Sequence, residues 1–163
     1  MITSLQNETI KEIMKLKQKK YRDETGLFLI EGFHLVEEAI KHGCVEKIIT
    51  TLNDSFLEET IYITPQIMDK LAFTKTPQPI MAVCKKILRH QVVHDGKRYL
   101  LLDRVQDPGN VGTMMRTALA FGYDQIIMSE DCVDLYNDKV IRATQGALFQ
   151  MPVCVMELSN AID

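Results

Sequence analysis

Apolar positions along the chain alternate between two periods, and the switches between them mark out the elements. Asn7 stands where a helix cap belongs, and Ile10, Ile13 and Met14 follow at core spacing, so a first helix is expected to run through the basic stretch until "DETG" breaks it. "LFLI" at 27–30 reads as a short buried strand. Residues 33–41 read as a helix carrying Leu35, Val36, Ala39 and Ile40 and closed at Gly43. Strands are expected at 45–50 and 61–63. A helix opened by Thr64 with Pro65 in its first turn comes next, and a strand at 80–85 follows "TPQP".

Beyond the polar interval "RHQVVHDGKR" the alternation resumes. "YLLLDRV" is apolar with little alternation, as a strand covered on both faces should be. A helix over 111–121 ends at Gly122, strand "QIIMS" follows, a second helix is expected over 139–150, and "PVCVM" supplies a third strand. Strand, helix, strand, helix, strand with short connections predicts a parallel sheet with right-handed crossovers, and ligands at the carboxyl ends of its strands. The reading is therefore a two-part α/β protein with a boundary near residue 93. "ELSNAID" looks like the cap and first turn of a further helix at Ser159, and a three-stranded parallel sheet has an uncovered edge, so a longer natural chain is expected.

Composition sets the class. Of 163 residues 46% are hydrophobic and 25% charged, enough to bury a core. No apolar run is long enough to cross a bilayer, and the N-terminus lacks a secretory signal, so a cytoplasmic protein is expected. Cys44, Cys84, Cys132 and Cys154 are widely spaced, which argues against zinc knuckles and disulfide frameworks and for buried thiols. His90 and His94 have no further ligands beside them, so no metal site is expected. The nine methionines are scattered through core positions and read as packing residues. The net charge is -3, yet residues 1–22 carry Lys11, Lys15, Lys17, Lys19, Lys20 and Arg22 against only Glu8 and Glu12. A polyanion can dock on such a segment, and a solvated helix face is the alternative.

Two stretches carry candidate chemistry. In "QDPGNVGTMMR", Pro108-Gly109 makes the turn off a strand and Asn110 takes the expected cap position. Backbone N–H groups and the helix dipole favour an anion there. Gly112 and Arg116 are four apart and share a face, so Arg116 is expected to project across the gap left by the glycine toward that anion; the alternative is that Asn110 only caps the helix and Arg116 only pairs with a surface carboxylate. The spacing fits neither a P-loop nor a dinucleotide fingerprint. "GNVG" imitates the GXXG of a KH domain, but a strand precedes it where KH needs a helix. In "DLYNDKVIRATQGALFQMPV", Asn137 can cap a helix in which Lys139, Arg142 and Gly146 share a face, two cations flanking a gap. A glycine inside a helix costs ~1 kcal/mol relative to alanine and usually marks close approach of a ligand or another backbone. Ser129-Glu130-Asp131 follows a strand at the ligand edge and is read as a polar loop, a contact with RNA or donor being the alternative.

Together these two stretches resemble the first two motifs of the SpoU (TrmH) family of RNA ribose 2′-O-methyltransferases. "KYRDETGLFLIEGFHLVEEAIKHG" and "TKTPQPIMAVCKK" resemble the substrate-binding domain that precedes the catalytic one in many members, a small fold similar to ribosomal RNA-binding proteins. Pro79 departs from the glycine that relatives tend to carry. The resemblance implies an RNA substrate-binding domain over 1–93 and, over 94–163, the first part of a parallel-sheet, trefoil-knotted SPOUT methyltransferase domain that works as a homodimer. It implies methyl transfer from S-adenosylmethionine to a ribose 2′-hydroxyl of rRNA or tRNA. Arg116 matches the catalytic arginine, Asn110 the first-motif asparagine and Arg142 the second-motif arginine. Lys139, Lys17, Lys19, Lys20 and Arg22 are candidate RNA contacts, and Gly112 and Gly146 the site's structural glycines. The family's third motif, with its Ser-Leu-Asn helix start, has no counterpart up to Asp163. Donor-binding residues are therefore expected beyond that point, and the chain by itself is expected to be inactive. A non-catalytic RNA-binding module stays open as the alternative.

Overall fold

A computed structural model describes residues 1–56, 58–87 and 98–162. The chain divides into two units, Met1–Lys86 and Ile87–Asp163. The boundary expected near residue 93, like His90 and His94, lies outside the described residues.

The first unit contains α1 (Glu8–Lys15), α2 (Lys19–Thr25), β1 (Leu27–Glu31), α3 (Phe33–Lys41), β2 (Val45–Thr50), β3 (Thr60–Tyr62), α4 (Pro65–Leu71) and β4 (Ile80–Lys85). Its four strands form one mixed sheet in the order β1-β4-β2-β3; β4 is antiparallel to both neighbours and β2 pairs parallel with β3. Side chains along a strand point alternately to its two faces. Leu29, Ile49, Met81 and Val83 join Ile10, Ile13 and Leu16 from the first helical segment and Ile67, Met68 and Leu71 from α4 in one core. α3 packs against β1, β2 and β4 through buried Leu35, Val36 and Ala39.

Asn7 caps α1 as its sequence position predicts, its side chain accepting from the backbone N–H groups of Thr9 and Ile10. The single long helix expected through the basic stretch is instead two. Residues 16–18 tighten into i→i−3 bonds and Gln18 turns extended. Arg22 then folds back, nearly buried, and donates from Nη1 to the Leu16 carbonyl at 3.1 Å, closing the gap the break opens.

The second unit contains β5 (Tyr99–Leu102), α5 (Pro108–Ala120), β6 (Gln125–Met128), α6 (Asp138–Thr144), a 3-10 turn (Ala147–Phe149), β7 (Val153–Val155) and α7 (Ser159–Ile162). Its sheet is parallel throughout, in the order β5-β6-β7. β6 is buried along its whole length, as continuous apolar strands in parallel sheets are. α5 and α6 pack on one another.

Candidate active site

β5 ends at Leu102, and the loop after it delivers Asp107 to the start of α5. Asp107, not Asn110, is the cap: its Oδ1 accepts from the Asn110 N–H at 2.7 Å, and Pro108 takes the first helical position. The helix therefore starts three residues earlier than its apolar periodicity suggests. Asn110 lies inside the first turn, with its side chain exposed.

Gly112 does not open a gap for Arg116. A Cβ at 112 would run into the Cβ of Ala143 and lie 2.5 Å from that residue's carbonyl carbon and 2.8 Å from its oxygen, so the space is filled by Ala143 of α6, main chain included. Arg116, one turn further along α5, lies beside this seam. Its side chain is exposed and, among the described residues, has no ion-pair or hydrogen-bond partner. It lines a shallow hollow of about 380 Å³ with Thr113, Thr117, Ala120 and Phe121.

Asn137 caps α6, accepting from the Lys139 N–H at 2.9 Å. The expected helix over 139–150 stops at Thr144, because Gln145 (φ 48°) and Gly146 (φ 92°) are both left-handed. Gly146 is thus a helix terminator that turns the chain into the 3-10 segment, not a gap inside a helix, and it shares no helical face with Lys139 and Arg142. Those two cations do share α6, both on the N-terminal side of Ala143. Lys139 is exposed, whereas Arg142 donates from Nη2 to Asp138 at 2.9 Å. Exposed pairs of this i, i+4 kind are worth about 0.3–0.5 kcal/mol, so a phosphate competes readily for the guanidinium. The seam between α5 and α6 therefore brings an arginine without a partner among the described residues and two further cations onto packed neighbouring helices.

The cations of the first unit are divided differently. Arg22 is buried in the helix break, and Lys17 donates from Nζ to the carbonyls of Lys70 and Ala72 at 3.1 and 2.8 Å. Lys19 pairs with Asp23, and Lys20 is exposed beside the Tyr21 ring. Arg22, expected as an RNA contact, is a packing and hydrogen-bonding residue, since its buried head group faces the protein.

A hollow of about 390 Å³ opens at the carboxyl ends of the three parallel strands, lined by Asp103 and Arg104 after β5, Ser129, Glu130 and Asp131 after β6, and Glu157 and Leu158 after β7. Arg104 has φ 52° and donates its N–H to Ser129 Oγ at 2.8 Å, while its head group lies on Asp103. The general placement of ligands in parallel sheets and the Ser129-Glu130-Asp131 loop at the ligand edge pointed there. Its four carboxylates make it unsuited to phosphate.

A mixed-sheet unit is thus followed by a parallel-sheet unit with arginines on packed helices. Two family models match in that order: the MRM3-like substrate binding domain over residues 7–82 and the SpoU rRNA Methylase family over 97–163. The chain is 40% identical over 169 residues to the 23S rRNA (guanosine(2553)-2'-O)-methyltransferase RlmP of Bacillus subtilis, covering 99% of this chain and 67% of that protein. It is 30% identical to the human mitochondrial rRNA methyltransferase 3, over 85% of this chain and 37% of that one. The crystal structure of an AdoMet-bound rRNA methyltransferase from Sinorhizobium meliloti superposes with a TM-score of 0.86 at 29% identity, over 99% of this chain and 66% of that one. The chain belongs to the SpoU rRNA methylase family. It spans about two thirds, or less, of the length of these relatives.

Proposed function

We propose that the intact protein is an RNA ribose 2′-O-methyltransferase acting on ribosomal RNA, with S-adenosylmethionine as donor. The observation that carries this is Arg116, a guanidinium without a partner among the described residues, beside the α5–α6 seam in a chain of this family. The relatives named for rRNA methylation, RlmP with its 2'-O specificity, support the substrate.

The donor supplies an electrophilic methyl group. The hollow at the sheet rim does not by itself fit it: among the described residues that line it Leu158 is the lone apolar side chain, whereas an adenine ring needs an apolar slot. No residue of this chain is assigned to the donor. The work assigned to these residues is on the RNA side. Arg116 orients the target 2′-hydroxyl and holds the adjacent phosphate, stabilising alkoxide charge as it develops. A guanidinium with a pKa above ~12 does not serve as the proton acceptor. Asn110 orients the same nucleotide, and Arg142 and Lys139 hold flanking phosphates, with Lys19 and Lys20 as outlying contacts. We further read the protein as a cytoplasmic homodimer with the trefoil knot of its superfamily; no described helix is long and apolar enough to cross a membrane.

The test uses the full-length protein, ribosomal RNA and donor carrying an isotopically labelled methyl group, with nucleosides analysed by mass spectrometry. Ribose-methylated nucleoside is expected. Arg116→Ala is expected to lose roughly 10²–10³-fold in rate, the scale of removing one transition-state donor, with RNA affinity mostly kept. RNA binding by the parent protein without any methyl transfer would make it a binding module instead.

A further inference from the structure

The junction of β1 and α3 carries a surface that the catalytic reading leaves unused. Phe33, the first residue of α3, is 43% exposed, although an aromatic ring of that size is normally covered. Its backbone is fixed: its N–H donates to Gln78 Oε1 at 2.7 Å, and Gly32 (φ 101°) leaves a space that the Gln78 side chain fills. The segment that delivers Gln78 is fixed in turn. Glu31, buried at the end of β1, accepts from the backbone N–H groups of Phe73 and Thr74 and from the Thr74 hydroxyl. Between these two clamps the segment carries Lys75, which is exposed and has no ion-pair partner among the described residues. Lys17 lies over the Phe73 ring at 5.2 Å and is bound to the carbonyls of Lys70 and Ala72, which adds one more positive charge beside the same segment. Glu31 is taken up by its three donors.

An exposed ring on a rigid mount beside cations is the arrangement that recognises single-stranded RNA: bases stack on the ring and lysines take the phosphates. We propose that the β1–α3 junction and the 73–78 segment clamped across it form an RNA-docking surface in which Phe33 stacks on an unpaired base of the substrate and Lys75 binds the neighbouring phosphate. This rests on the reading that the substrate is RNA and specifies how the first unit selects it: through an unpaired nucleotide.

The experiment measures fluorescence anisotropy of the full chain with a labelled RNA hairpin bearing an unpaired loop, and with a blunt duplex of the same stem. Phe33→Ala is expected to weaken hairpin binding about tenfold or more and to leave duplex binding unchanged, while Phe33→Trp keeps the affinity. Lys75→Ala is expected to reduce the slope of log affinity against log salt by about 0.7, one phosphate's worth on a single strand. Thermal melting of each variant controls for folding, which an exposed ring should not perturb. The proposal is overturned if Phe33→Ala binds the hairpin as the parent does, or if its effect is a changed sedimentation coefficient with RNA affinity intact, which would make Phe33 a protein contact. A parent chain that binds neither RNA overturns the RNA reading itself, a different result from a parent that binds while Phe33 proves irrelevant.

Discussion

Gly112 on α5 lies directly against the backbone of Ala143 on α6. A methyl group at 112 would come within 2.5 Å of that residue's carbonyl carbon, so the two helices are as close as they are because position 112 has no side chain. Both candidate arginines hang from this contact, Arg116 one turn along and Arg142 next to Ala143.

Gly112→Ala therefore sets two effects against each other. Alanine favours a helix over glycine by about 1 kcal/mol. Overpacking against a neighbouring backbone costs about 1–3 kcal/mol and is expected to win, because the obstacle is main chain rather than a flexible side-chain tip. Urea unfolding should show a lower midpoint with an unchanged slope. A variant as stable as the parent would mean that the helices separate freely.

Asp107→Ala is expected to cost about 1 kcal/mol through loss of the α5 cap. Asn110→Ala is expected to change stability by less than about 0.5 kcal/mol, since its side chain holds no helix N–H. If the asparagine serves the target nucleotide, the order reverses for methylation, with Asn110→Ala the more damaging. Equal melting losses in the two variants would refute this division.

These two residues show what was readable in the sequence and what was not. Element types followed from periodicity, and α3, β2 and β4 occupy the expected spans because each is bounded by a glycine, a cap or a proline. Failures came where a tertiary contact decided the outcome. Asp107 and Asn110 are both good caps in isolation, and only the path of the chain after β5 selects the first. The break at residues 16–18 is covered by Arg22 from the following helix, which no propensity reveals. Gly146 looked like a mid-helix gap because apolar spacing continues past it in Ala147, Leu148 and Phe149, and the left-handed Gln145 has no sequence signature of its own. The sheet-rim hollow joins residues from three separate loops, so its composition is visible only once the strands are aligned.

Arg22→Met separates structural from electrostatic roles in the basic segment. It leaves the Leu16 carbonyl without its guanidinium donor in a buried place and is expected to cost about 1–3 kcal/mol. Because the head group faces inward, RNA affinity and its salt dependence should stay as in the parent, whereas Lys20→Ala should lower the salt slope. A reduced slope for the arginine variant would return it to the RNA surface.

Asp138→Asn tests whether the α6 ion pair restrains Arg142. The substitution removes an exposed pair and a negative charge in the first turn of the helix, so a stability loss below about 1 kcal/mol is expected. RNA binding should hold or tighten, since the guanidinium is then released to phosphate. Weaker binding would mean that the pair presents Arg142 in its useful position.

Asp23 supplies a pH test of the first unit. Its two carboxylate oxygens lie 2.7 Å from the Lys86 amine and 2.6 Å from the Lys19 amine, and these hydrogen bonds hold its pKa below the usual carboxylate value. A group whose pKa is depressed on folding contributes stability above its unfolded pKa, near 4, and loses that contribution as pH falls through the folded value. The carboxylate is nearly half exposed, so solvent screening limits the contribution to less than about 1 kcal/mol. Asp23→Asn should accordingly lower the urea midpoint slightly at pH 7, less so in high salt, and the gap to the parent should narrow steadily below about pH 4. A gap of the same size at pH 3 would show that asparagine disturbs packing rather than charge, and that the two lysines do not stabilise the fold through this carboxylate.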